Sequence, residues 1–410
     1  MPDTSTPQPG LFERLGLRRI VNVSGTETTK GATPVCPEVV AAVSDLVPHS
    51  VEMAELQSVA SATIARALGA EAGFVTNCSA AGMTIAIAAC MTGRNLARVE
   101  QLPDTAGMKD AVVIQRGHDV TYGGYVTQNI RLAGARPIEI GAATECGSYQ
   151  LRAALDDNAA AALYVVSHHT VQSGLIDLDT FCKVCQEAGV PVIVDGAAEP
   201  DPRIFLKAGA DIVVFSTQKA FAGLTGGVVA GRKELVQACA YQERGIGRPM
   251  KAGKETVISA IAALERWMAL DHDKRARDLT ARLERAKAKI EQLRGITVTL
   301  EEDATSHAFH RLLLFVQADQ AGISAFDLSR ALWEETPSIF VRNLMADIGL
   351  LQVDFRRVDD SVADWVAERI VAIVKAGKPR PDAAAAPPAN LADLSLAALE
   401  RWPLSMRPRS

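Results

Sequence analysis

Between about residue 70 and residue 232 the chain alternates short apolar runs with helix-length amphipathic stretches, and the runs have no polar face. They read AVVIQRG (111 to 117), ARPIEIG (135 to 141), AALYVVS (161 to 167), VPVIVDG (190 to 196), DIVVFST (211 to 217) and GGVVAG (226 to 231). A strand apolar on both sides must be covered on both sides, and strands separated by helices pair in parallel. The pattern predicts an α/β domain built on a mostly parallel central sheet.

After Gly253 the pattern changes. The stretch KETVISAIAALERWMALDHDKRARDLTARLERAKAKIEQLRG predicts one long helical spine, apolar in its first half and charged in its second. Strand-like and helical segments then alternate from ITVTLEE to VADWVAERIVAIVKAG, which predicts a small α+β domain ending near residue 377. The expected organisation is an N-terminal arm (1–30), a large domain (31–253), a small C-terminal domain with its connecting helix (254–377), and a tail (378–410). In that tail KPRPDAAAAPPAN reads as a Pro/Ala linker and LADLSLAALERW as a short helix.

A formal net charge of −5 leaves little with which to neutralise a phosphate backbone, so no nucleic-acid partner is expected. The N-terminal residues lack a secretory pattern and no run reaches eighteen apolar residues, so the expected location is the cytoplasm, without a membrane partner. Seven scattered cysteines fit free thiols in a reducing compartment. Cys182 and Cys185 form a C-x-x-C, but LDTFCKVCQEAGV reads as an amphipathic helix with buried thiols rather than half of a zinc site. His307 and His310 are similarly isolated at the start of a strand, and no metal is expected.

One residue breaks the apolar order: Lys219 follows the end of the DIVVFST strand. Asp195 closes the preceding strand, and parallel sheets place ligands just beyond such carboxyl ends. With only one helical crossover between the strands, the two side chains can converge on a small planar ligand. An amine that forms a Schiff base with an aldehyde, and a carboxylate that keeps a ring nitrogen protonated, describe a pyridoxal phosphate site. A solvated lysine and a helix-capping aspartate would look the same locally. For the phosphate, the small residues Thr76 to Gly82 lead into an apolar helix whose first N–H groups suit an anion, although an ordinary tight turn reads identically. Ser216 offers a further hydroxyl. His118, beyond another strand end, is placed to stack on a ring, and His168 and His169 occupy the corresponding place on a further strand, where one of them would line the site.

Together, VNVSGTETTKGATPV, VEMAELQ, TNCSAAG, VDGAAE, STQKAFAGLTGGVVAGR and GRPMKAGKE resemble the fold type I pyridoxal-phosphate enzymes. Within them the chain is most similar to the group of bacterial selenocysteine synthase and D-glucosaminate-6-phosphate ammonia-lyase, over roughly residues 18 to 377. The resemblance implies a fold type I transferase-like architecture, with Lys219 as the Schiff-base lysine and Asp195 as the partner of the ring nitrogen. It places Ser79 and Ala80, with Cys78 before them, in the phosphate-binding turn, and His118 near the ring face. SIFVRN and LLQVDFRR match the family's C-terminal strand pair, making Arg342 a candidate for the substrate carboxylate, with Arg248 in GRPMK a second.

Two departures bear on function. Only about twenty residues precede VNVSG, where selenocysteine synthase carries a domain for its tRNA, and Glu52 replaces the aspartate of the ammonia-lyase DMAELQ loop. The expectation is a pyridoxal-phosphate lyase, a homodimer or larger homo-oligomer, that takes a small amino acid or amino sugar acid through α,β-elimination to a keto acid and ammonia. Racemisation, epimerisation or aldol cleavage on the same lysine and aspartate is the alternative. tRNA-dependent selenium transfer and a non-catalytic cofactor-binding regulator stand further off.

Overall fold

Each apolar run of the first half contains a strand of one seven-stranded sheet. In the computed structural model, which describes residues 10–302, 305, 310–377, 399–400 and 403, the strands in chain order are β1 (Ile20–Val23), β2 (Ala72–Thr76), β3 (Ala111–Gln115), β4 (Arg136–Ile140), β5 (Ala159–Val165), β6 (Val192–Asp195), β7 (Ile212–Ser216), β8 (Gly227–Gly231), β9 (Ile296–Glu302), β10 (His310–Val316), β11 (Ser338–Met345) and β12 (Leu350–Val353). The chain falls into two compact units, one of Met1–Lys30, His272–Asp303 and Ala308–Ser410, the other of Gly31–Asp271 and Ala304–His307.

The large sheet has the order β2-β8-β7-β6-β5-β3-β4. Strands β3 to β7 are parallel to one another, β8 runs against β7, and β2 runs against β8, so β8 alone is reversed. Every residue of β2, β3, β6, β7 and β8 is buried, as double coverage requires. The outer edge of β2 is closed by side chains. The Gln57 amide accepts from Val75 N (3.1 Å) and donates to Val75 O (2.8 Å), and Ser61 Oγ accepts from Gly73 N (3.0 Å). One turn apart on the Met53–Leu68 helix, these two residues satisfy groups that would otherwise template pairing with another chain.

The expected single spine is two helices, Lys254–Ala269 and His272–Ile290, separated where Leu270 turns extended. The break follows from the change in composition. Val257, Ile261, Leu264 and Trp267 pack in the core of the large sheet, whereas Leu279, Leu283, Ala286 and Ile290 pack in the second core.

That second core lies on one face of a five-stranded sheet of order β1-β11-β12-β10-β9, in which β1 is parallel to β11 and the other pairs are antiparallel. Val23, Val341, Val353, Leu312 and Val298 belong to the apolar core. The alternation of strand residues puts Arg342, Gln352, Asp354, Arg311 and Glu301 toward the other face. No described helix is long and apolar enough to cross a membrane. Cys182 and Cys185 are buried on the Leu178–Glu187 helix, and burial pushes both thiols up to about 12. His310 opens β10, while His307 and the tail segments 378–398 and 401–402 lie outside the described residues.

Candidate active site

Asp195 ends β6 and Ser216 ends the adjacent parallel strand β7, with Asp195 in register with Val214. The chain after Asp195 stays against β7: Gly196 N donates to Val214 O (2.9 Å) and Ser216 N to Ala197 O (3.2 Å). Lys219, three residues beyond Ser216, therefore comes into electrostatic contact with Asp195. Asp195 is only 8% exposed, and burial pushes its carboxyl up to about 6, against the pull of Lys219 and of an Ala197 N–H at 3.1 Å. Burial lowers the Lys219 amine, against Asp195 and Glu199. A lysine so shifted is more readily the neutral nucleophile.

The lysine loop is held from several sides. Thr33 Oγ1 donates to Lys219 O (2.9 Å) and Cys36 N to Ala222 O (3.0 Å), so the TTKGATPV segment braces the loop directly. Leu224 N donates to Ser259 Oγ (2.7 Å), Gly223 N to Thr217 O (2.9 Å), and Ala222 sits at φ +57°, in the left-handed region. Ser216 is buried, and its hydroxyl reaches Gly226 O at 3.4 Å.

The small-residue turn sits at the same end of the sheet. Thr76 and Ser216 both face Gly227 in register, so the turn after β2 lies two strand spacings, about 10 Å, from the end of β7. Cys78 caps the Ser79–Thr92 helix in an extended conformation, its Sγ accepting from Ala81 N (3.5 Å). The N–H groups of Ser79 and Ala80 stand in the first turn, where no intrahelical acceptor exists. Glycine is required opposite them, because a Cβ on Gly227 would meet Cys78 C and O at 2.3 Å.

His118 follows β3, two strands beyond β6 in the sheet. Its imidazole is buried edge-on against Tyr164 (4.4 Å between centroids), and Val165 N, in register with Asp195, donates to its Nδ1 at 3.2 Å. Burial lowers its pKa to about 4, so the ring is neutral with its proton on Nε2 and its only lone pair engaged. That arrangement can pack against a ring or donate from Nε2; it leaves no nitrogen free to abstract a proton.

The remaining candidates are more dispersed. His168 is half-buried and His169 exposed in the turn after β5, their rings 4.0 Å apart. Arg248 is exposed at a groove of about 730 Å³ whose lining also includes Glu52, Gln57, Phe74 and Lys251, but none of Lys219, Asp195 and His118. Arg342 belongs to the other unit, on β11, where burial and the like charge of Arg311 lower its pKa. Three residues of the large unit escaped the motif reading. Thr33 is described above. Glu199, in the DGAAE segment, is buried, interacts electrostatically with Asp195 and Lys219, and accepts from Thr305 Oγ1 at 3.2 Å. Tyr122, in HDVTYGG, interacts electrostatically with Asp195 and Cys78.

A buried amine opposite a carboxylate, with a helix start about 10 Å along the sheet end, suits a ligand that carries an aldehyde, a basic ring nitrogen and a phosphate. The donor set thus fits pyridoxal phosphate.

Comparisons with known proteins agree with that fit. Residues 49–368 match the family model described as SelA, L-seryl-tRNA selenium transferase. A D-glucosaminate-6-phosphate ammonia lyase of Salmonella typhimurium is 36% identical over 362 residues, covering 88% of this chain and 97% of its own. A 5'-C-glycyluridine monooxygenase-decarboxylase of Streptomyces sp is 33% identical, covering 88% and 90%. Among solved structures, a D-glucosaminate-6-phosphate ammonia-lyase superposes with a TM-score of 0.81 at 35% identity over 90% of this chain and 99% of its own. A Sphingomonas wittichii serine palmitoyltransferase, at 14% identity and TM-score 0.55 over 87% and 88%, shares the fold. The chain belongs to the L-seryl-tRNA selenium transferase family, as a fold type I enzyme whose cofactor is pyridoxal phosphate.

Proposed function

We propose that the protein is a lyase that converts a small β-hydroxylated amino acid or amino sugar acid into a keto acid and ammonia, a phosphorylated amino sugar acid being the favoured substrate class. The observation that carries the cofactor assignment is the buried Lys219–Asp195 pair at the ends of two adjacent parallel strands. The near-complete coverage of the named ammonia lyase supports the reaction class.

In this reading Lys219 would hold the cofactor through its amine and carry the α-proton. Asp195 would keep the ring nitrogen protonated, and the N–H groups of Ser79 and Ala80, set by the Cys78 cap, would hold the phosphate with help from Ser216. When bound, pyridoxal phosphate supplies the electron sink that makes the α-proton removable. His118 packs at the site as a neutral ring and donor rather than as the base. The family resemblance assigns the substrate carboxylate to Arg342 or Arg248, and the place of His168 in the turn after β5 assigns it to the substrate side. Loss of the α-proton and the β-hydroxyl, followed by hydrolysis, gives one keto acid and one ammonia per substrate.

A homodimer or larger assembly in the cytoplasm, without nucleic acid, is part of the same proposal. The acidic balance supports the absence of a nucleic-acid partner, and seven cysteines that are all free thiols support the compartment. The test is turnover on D- and L-β-hydroxyamino acids and aminosugar acids, with and without phosphate, in deuterium oxide. Ammonia with a keto acid deuterated at the β-carbon is expected. An α-deuterated amino acid of inverted configuration and no ammonia would mean a racemase or epimerase, and an aldehyde product would mean an aldolase. Dioxygen uptake with a glycyl nucleoside would favour the chemistry of the second relative.

A further inference from the structure

Tyr122 follows His118 in a loop pinned at both ends. Val126 N donates to Val120 O (3.2 Å), Thr121 bridges Tyr125, and Asp119 binds Thr127 through both its backbone N (2.9 Å) and its hydroxyl (3.0 Å). The side chain is 46% exposed, yet its phenol oxygen is held by the buried amide of Asn129. The direction of that bond is fixed. Asn129 Nδ2 also donates to Tyr125 O (3.3 Å), a carbonyl that can only accept, and Asn129 Oδ1 accepts from Thr84 Oγ1 (3.3 Å). The amide must therefore present its NH2 side to Tyr122, whose oxygen accepts and whose proton has to go elsewhere. Among the described residues, none takes it.

We infer that Tyr122 is an obligate hydrogen-bond donor to a phosphate-ester oxygen bound at the start of the Ser79–Thr92 helix. The Thr84 hydroxyl shares its one proton between Asn129 Oδ1 (3.3 Å) and Ala80 O (3.2 Å), which ties the network to the helix that opens with the small-residue turn. Burial pushes the phenol up to about 12, with Asp195 and Cys78 adding to the rise, so its proton stays in place at neutral pH. The ester belongs either to the cofactor or to a phosphorylated substrate. The inference rests on the cofactor-site reading above.

The experiment uses full-length Tyr122→Phe and Asn129→Asp. The aspartate keeps the phenol but offers it an acceptor, which redirects the proton. Cofactor-free protein is titrated with pyridoxal phosphate and with pyridoxal, and KM is measured for an amino sugar acid with and without its phosphate. If the cofactor supplies the ester, both variants bind pyridoxal phosphate about tenfold more weakly and pyridoxal unchanged. If the substrate supplies it, both cofactor affinities hold and KM rises about tenfold for the phosphorylated substrate alone. All values within twofold of wild type in Tyr122→Phe, or pyridoxal weakening as much as pyridoxal phosphate, overturns the inference; a poorly folded Asn129→Asp leaves Tyr122→Phe decisive. A wild-type protein that forms no visible band with pyridoxal phosphate would instead sink the site reading itself.

Discussion

Asp195 and Asp354 are both buried aspartates, 8% and 3% exposed, and they are shifted in opposite directions. At Asp354 burial alone would raise the carboxyl. It is overruled by Arg356, whose guanidinium takes both oxygens and whose backbone N donates at 3.0 Å, and by Arg311 at 3.8 Å, so the pKa falls below its ordinary value. The loop of the N-terminal VNVSG motif packs against the same carboxylate, Gly25 leaving 3.4 Å for a Cβ, while Asp354 N donates to Val23 O (2.8 Å). Asp195 has one backbone N–H and a lysine whose own charge is disfavoured by burial. The difference separates a charge already matched by the fold from one that the fold leaves only partly matched.

Lys219→Ala sharpens the contrast most. Loss of the amine should remove the visible cofactor band and lower kcat by at least about 10⁴-fold, while the melting temperature of the cofactor-free protein changes little. A retained band would break the assignment. Asp195→Asn comes next. Turnover should fall by about 10²- to 10⁴-fold, since the charge opposite the ring nitrogen is gone, with cofactor still bound in an absorbance titration. Asp354→Asn should do the reverse, costing about 3–5 kcal/mol in urea unfolding because two arginines lose their counter-charge. Similar stability losses in the two asparagine variants would erase the comparison.

The same two carboxylates should separate by pH. Asp195 has a folded value of about 6 against an ordinary 3.8, so its contribution is full below pH 3.8 and is lost as pH rises toward 6. Cofactor-free wild type should therefore lose about 2 kcal/mol across that window relative to Asp195→Asn. Asp354, lowered, contributes above pH 3.8 and loses that contribution only in stronger acid. Smallest of all, Thr33→Ala removes one bond to the Lys219 carbonyl and should cost about 1 kcal/mol, with a several-fold drop in kcat.

The strand runs and the Lys219–Asp195 pair were legible because both depend on short-range order: apolar residues without a polar face, and a charge where the run stops. Thr33, Gln57 and Tyr122 were not, since each acts through a hydrogen bond to a distant or non-consecutive partner that leaves no local signature. Thr33 looked like part of a motif with no stated task until its hydroxyl met the lysine loop, 186 residues on. The passage of the spine from one core to another was legible in its change from apolar to charged composition, whereas its break into two helices at Leu270 leaves no signature in helical periodicity.

The central claim is that the Lys219–Asp195 pair is where pyridoxal phosphate is held. Borohydride reduction of the cofactor-loaded protein, followed by peptide mass analysis, tests it directly. The account expects the reduced cofactor on the peptide that contains Lys219, with the visible band abolished. Cofactor fixed on another lysine, such as Lys30 or Lys251, or on none, would contradict it.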